Sequence, residues 1–142
     1  MVRKIMLSSA PLFFLFFLFT DNGEAVKNIE LFHIGKNKIV KTIPTNPTIQ
    51  SEAEKILKTA DSVVKKLNPI PDQGYMIRIP LEPPVQLENK WINALIDEVI
   101  LIIPEEEKPH ILIFDDENNM YFFTFQRKMD TIIKALDIPP LL

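Results

Sequence analysis

The densest set of oxygen ligands in the chain is Asp115-Asp116-Glu117-Asn118-Asn119, five consecutive acceptors of the kind that hold a hard cation such as Ca²⁺. A calcium loop, however, alternates its ligands and uses Gly for its sharp turn, and this run has neither feature. Asp and Asn here read as the turn of a hairpin. Glu105-Glu106-Glu107 offers an acidic patch but reads as a solvated loop that keeps flanking apolar strands apart. His33 and His110 have the side chain that titrates near neutrality, yet neither sits at a metal-binding spacing, and two His exclude a three-His site. The chain has no Cys, which removes disulfides, thiolate metal sites and Cys nucleophiles. Ser51 and Ser62, the only Ser beyond residue 25, stand outside any G-x-S-x-G elbow and any Ser–Lys pair at catalytic spacing. No metal and no cofactor is expected.

Glu82, Glu88 and Asp97 supply the carboxylates that glycoside cleavage uses, but no spacing pairs them. The most distinctive stretch runs from Tyr75 to Pro84. Within it Tyr75, Arg78, Pro80, Glu82, Pro83 and Pro84 are expected to form a partner surface, as a sheet edge or a rigid polyproline face. The competing reading is an edge strand whose Pro residues block unwanted pairing. Charge is also segregated: residues 26–78 carry 9 basic and 5 acidic side chains, and residues 79–142 carry 5 basic and 12 acidic. Lys36, Lys38 and Lys41 are therefore candidates to contact an anionic surface, such as phospholipid headgroups or wall polyanions; the competing reading is that the segregated charge serves solubility alone.

The elements that must position these residues follow from periodicity. Residues 27–34 are rich in β-formers with Ile29, Leu31 and His33 at alternate positions, residues 38–43 set Ile39, Lys41 and Ile43 opposite Lys38, Val40 and Thr42, and the two flank Gly35-Lys36-Asn37, a hairpin ended by Pro44. Asn46 as cap and Pro47 at the first position open a helix. Its stripe of Ile49, Ala53, Ile56, Leu57, Ala60, Val63, Val64 and Leu67 predicts one long amphipathic helix stopped by Asn68-Pro69. A third strand begins at Tyr75 and is expected to leave the sheet at Pro80, Pro83 and Pro84. Trp91 to Leu95 is ambiguous, with Trp91, Ile92, Leu95 and Ile96 spaced to suit two helical turns. Val99 to Ile103, His110 to Phe114 and Met120 to Phe125 read as strands, and Met129 to Leu136 as a short helix closed by Pro139-Pro140. The expected fold class is α+β: an antiparallel sheet of about five to six strands with two hairpins, and one long and one short amphipathic helix packed on one face.

The N-terminus reads as an address. Arg3 and Lys4 precede an apolar run from Ile5 to Phe19, about 23 Å long as a helix and short of a ~30 Å hydrocarbon core. Small Gly23 and Ala25 suit signal-peptide cleavage before Val26, so residues 1–25 form an expected signal peptide and 26–142 a single domain. An uncleaved anchor is the alternative, and residues 5–19 would then be the chain's membrane contact. Export without Cys, together with 13 Lys against 3 Arg, suggests a Gram-positive envelope. A net charge of −3 argues against nucleic acid as a partner. The expected function is a small non-catalytic extracytoplasmic module that binds an exported protein or an anionic envelope component. A small wall-polymer hydrolase or hydrolase inhibitor, and a signal-anchored accessory subunit of a membrane complex, are the alternatives.

Overall fold

A computed structural model of the protein describes residues 28–66 and 68–138. The expected signal sequence, its cleavage site and the closing Pro139-Pro140 lie outside these residues. The first hairpin pairs β1 (Ile29–His33) with β2 (Lys38–Ile43), its turn closed by the Asn37 N–H on the Ile34 carbonyl at 3.0 Å with Asn37 at φ 54°. Asn tolerates that left-handed conformation better than most residues. Val40 stands as an extra residue opposite the Leu31–Phe32 step, so β2 bulges and Val40 is exposed.

The first helix starts where its cap residues place it and ends early. In α1 (Pro47–Lys58) the Asn46 carboxamide oxygen accepts from the Ile49 N–H at 2.9 Å. Thr59 then closes the helix, its hydroxyl donating to the Ile56 carbonyl at 2.9 Å. Beyond it Ala60–Val63 is a strand, β3, not a continuation. Thr59, Asp61, Ser62, Val63 and Val64 are all poor helix formers, and the open edge of β7 (Met120–Phe125) offers a ladder. Ala60, Ser62 and Val63 take Phe125, Thr124 and Phe123 as register partners, and the Val64 N–H reaches the Phe122 carbonyl at 2.8 Å. The apolar spacing at Ala60, Val63 and Val64 satisfied a helical template by coincidence.

The second departure is the central hairpin. β4 (Gly74–Glu88) runs through its prolines, and β5 (Asn93–Pro104) takes in the segment that suited helical turns. Asn89 makes the turn, its side-chain oxygen accepting from the Trp91 and Ile92 N–H groups at 2.9 and 3.0 Å. Pairing is irregular between Pro80 and Val85, where the ladder steps from Glu98 to Ile96. The ribbon beyond this break brings Trp91 to within 5.5 Å of Phe123, ring centre to ring centre. β6 (His110–Phe114) and β7 complete the sheet, and α2 (Asp130–Leu136) follows it.

All seven strands form one antiparallel sheet in the order β2-β1-β4-β5-β6-β7-β3. The α+β expectation, with five to six strands and one long helix, is thereby overturned: the described residues are mostly β, and the helices among them have only 12 and 7 residues. Both helices belong to one apolar layer, in which Ile49, Ile56 and Ile132 pack with Ile77, Leu101, Ile111 and Phe123. The opposite face is apolar as well, with Phe32, Met76, Ile100, Ile102 and Leu112 buried beside Ile70 of the β3–β4 connection. Central strands buried on both faces explain the unbroken run Val99–Ile103. Among the described residues no helix is long and apolar enough to cross a membrane.

Candidate functional site

The residues expected to share a partner surface do not share a face. Tyr75 lies toward the helix layer, edge-on to His33 with ring centres 5.0 Å apart. Arg78 lies on the opposite face, between Glu98, whose carboxylate is 2.5 Å from its guanidinium, and Glu30 at 3.9 Å. All three side chains are nearly buried. Burial pushes the Glu30 and Glu98 carboxyls above the ordinary range, and the Arg78 charge opposes the rise in each. This group joins β1, β4 and β5. Glu30 gave no signal in the sequence because its strand looked solvated on one side.

Pro80, Glu82, Pro83 and Pro84 lie where β4 has passed the end of β1. There α1 takes the place of a strand. Gln50 donates from Nε2 to the Pro80 carbonyl at 2.7 Å and accepts the Glu82 N–H on Oε1 at 2.9 Å. A single carboxamide thus occupies the backbone groups that an added peptide strand would use. Glu82, Pro83 and Pro84 line a shallow cavity of about 750 Å³ with Thr45, Gln50 and Ser51. Asp97 lines a different cavity, with Glu98 and Asp115, so Glu82 and Asp97 do not form a catalytic pair, and Glu88 lines neither.

The other candidates are occupied locally. The Asp115 carboxylate accepts from the Glu117 and Asn119 N–H groups, both at 2.9 Å, and from the Asn119 amide and the Tyr121 hydroxyl at 2.9 and 3.1 Å. These bonds, the Asn119 amide first, hold its carboxyl below the usual range. Asn118 takes φ 65°, so the run is a hairpin turn. His110 is buried and its Nε2–H donates to the Pro69 carbonyl at 2.8 Å; burial pushes its pKa down. His33 Nδ1 accepts from the Lys36 N–H at 3.0 Å. Glu107 pairs with Lys66, and Ser62 shares a hydrogen bond with Thr124 at 2.8 Å. Among the described residues no three His, Asp or Glu are placed to hold a metal.

Of the three lysines expected on an anionic surface, Lys36 and Lys38 lie at the exposed β1–β2 turn. Lys41 reaches across to α2, its ammonium donating to the Asp137 carbonyl at 3.2 Å, where the helix ends in the left-handed conformation. That contact leads to the feature missed in the sequence. A cavity of about 980 Å³ opens between α2, the end of β7 and the β5–β6 loop. Its apolar lining is Ile103, Phe125, Met129, Ile133 and Ile138, with Ile103 and Ile138 buried. Lys108, Lys128 and Lys134 line it and are exposed. Among the described residues none of these three makes an ion pair, whereas Arg127 is taken by Glu52 through two bonds of 2.9 and 3.0 Å. Those bonds, ahead of the burial that opposes them, hold the Glu52 carboxyl below the usual range and fasten α1 to the cavity wall. The lysines are scattered over 26 positions in sequence and meet only because β7 returns beside the β5–β6 loop. No protein-family model, curated protein or solved structure is significantly similar to this chain.

Proposed function

We propose that this chain is an exported, non-catalytic binding module of a Gram-positive cell envelope, and that its binding site is the cavity beneath α2. One observation carries the reading: a concave apolar lining of about 980 Å³ with lysines at its rim that make no ion pair among the described residues. Small-molecule sites are concave and mostly apolar, with a few polar groups that orient the ligand, and run to roughly 1,000 Å³. The hydrogen-bonding side chains elsewhere support the same reading, since Asp115, His110, Gln50 and Arg127 are spent on turns, loops and helix attachment. Export rests on the Arg3-Lys4 start, the apolar run Ile5–Phe19 and the small residues before Val26.

The test has two arms. Intact mass and fractionation in a Gram-positive host are expected to give a species starting at Val26 in the medium or wall; full-length protein in the membrane would overturn export. Isoleucine-methyl NMR spectra of the protein with fractionated envelope extracts are expected to shift Ile103, Ile133 and Ile138 first. Shifts confined to other methyls would move the site elsewhere.

A further inference from the structure

Resting on the cavity as the binding site, we infer that its ligand is a single-chain anionic amphiphile, an acyl or alkyl tail with a carboxylate or phosphate head, taken up as a free molecule and not as part of a bilayer. The lining sets the tail. Ile103, Phe125, Met129, Ile133 and Ile138 present side chains with no hydrogen-bonding groups, so the deep part of the cavity rewards removal of CH₂ groups from water. The rim sets the head. Lys108 comes from the β5–β6 loop, Lys128 from the β7–α2 connection and Lys134 from α2, three elements that converge on one mouth. Lys41 does not line the cavity; its ammonium is held on the Asp137 carbonyl. Against the three lysines the rim carries two carboxylates, Asp130 and Asp137, which leaves it cationic by one charge. Arg127 does not count, because Glu52 neutralises it.

The shape decides between a free amphiphile and a membrane surface. A flat bilayer meets lysines on a convex or planar face. Here they surround a concavity bounded by α2 on one side and by Pro109 and the end of β7 on the other. A molecule with one narrow tail and one charged head satisfies both parts of the site at once.

Sub-micellar laurate, dodecanol and dodecyltrimethylammonium, titrated into the full chain carrying ¹³C-labelled isoleucine methyls, test this directly. Laurate is expected to shift Ile103, Ile133 and Ile138 and to bind at least about tenfold more tightly than dodecanol at low salt, the worth of one charge-assisted hydrogen bond. That advantage should shrink at 0.5 M salt, through screening. Shortening the tail by one CH₂ should weaken binding about fourfold. The triple variant Lys108→Gln, Lys128→Gln, Lys134→Gln changes exposed side chains only and should bring laurate down to the dodecanol level. Equal affinity for laurate and dodecanol, or tight binding of the cationic surfactant, would overturn the anionic head while leaving the cavity as the site. Binding to phosphatidylglycerol vesicles without any laurate response would overturn the free-molecule assignment. No response of the three methyls to any amphiphile would remove both the ligand class and the site.

Discussion

Replacing Gln50 by Ala should unfasten the Pro-rich segment of β4 from α1. Gln50 contributes two bonds to that strand, to the Pro80 carbonyl at 2.7 Å and from the Glu82 N–H at 2.9 Å, and a third to the Thr45 hydroxyl at 2.9 Å. The third is exposed and worth little. The first two contribute about 1 kcal/mol each, net of the water they displace. Ala returns a few tenths of a kcal/mol in helix propensity, which leaves a loss of about 1.5 kcal/mol. For a domain of this size that corresponds to a fall in Tm of about 6 °C. The assay is urea unfolding followed by the fluorescence of Trp91, the single tryptophan, which packs 5.5 Å from Phe123 and so reports on the sheet. Gln50→Glu sharpens the test. It keeps the acceptor for the Glu82 N–H but sets a carboxylate oxygen against the Pro80 carbonyl, so at neutral pH it should be at least as destabilised as Ala. Below its own pKa the carboxyl becomes a donor and stability should recover. A loss under about 0.5 kcal/mol for Gln50→Ala, or a Gln50→Glu variant indistinguishable from wild type at pH 7, would refute the view that this side chain substitutes for a strand.

Further outcomes follow from other sites. Burial raises the Glu30 and Glu98 carboxyls, so over the interval between the ordinary and the raised value the folded state binds more protons at these groups than the unfolded chain does. Between the ordinary carboxyl value and the raised one, stability should therefore fall as pH rises, by up to about 1.4 kcal/mol per pH unit for each group. Glu98→Gln should remove its part of that slope. His110, lowered by burial, titrates with the opposite sign below about pH 6.5, so the measurement is the difference between wild-type and variant pH profiles, and identical profiles would count against the buried group. Thr59→Val preserves shape but loses the hydroxyl that donates to Ile56 and accepts from the Gln126 and Arg127 N–H groups at 3.2 and 3.3 Å. It should cost about 1–2 kcal/mol in urea unfolding. Gly74→Ala places a Cβ 2.2 Å from the Ile103 carbonyl oxygen at φ 129° and should cost well over about 1 kcal/mol. For Gly35→Ala the nearest atoms all belong to the flexible Gln73 side chain and the cost should be far less, so equal thermal shifts would contradict the β4–β5 register.

Local chemistry was legible and partner choice was not. Asn46 and Pro47 announced the start of α1, Asn37 and Asn118 announced turns, and each does so through contacts within five residues. The errors lie where a distant strand decided the outcome. Ala60–Val63 is helical by apolar spacing and a strand by pairing with residues some 60 positions away. Pro80, Pro83 and Pro84 looked like the end of a strand because each lacks a backbone donor. β4 nevertheless continues to Glu88, because the edge they weaken meets Gln50 and not a ladder. Glu30 and Glu98 drew no reading from the sequence, because a lone carboxylate in a strand does not show which face it shares; here that face carries Phe32, Met76, Ile100 and Leu112.

The cavity illustrates the same limit from the functional side. Counting charges along the chain placed the basic excess in residues 26–78, which directed attention to Lys36, Lys38 and Lys41. Antiparallel pairing reorders that count in space. The β5–β6 loop and the β7–α2 connection both fall at the end of the sheet where β7 begins to turn into α2, and they bring Lys108, Lys128 and Lys134 out of the acidic half of the sequence to one mouth. Lys41 of β2 reaches the α2 C-terminus beside this mouth without lining it. A net charge per segment therefore misjudges this molecule. The acidic half carries the lysines that line the apolar cavity with only two carboxylates, Asp130 and Asp137, among them, while Asp115 is held in a turn, Glu107 pairs with Lys66 and Glu98 with Arg78. The local cation excess at the cavity, and not the overall charge of −3, is the quantity that salt dependence of binding would measure.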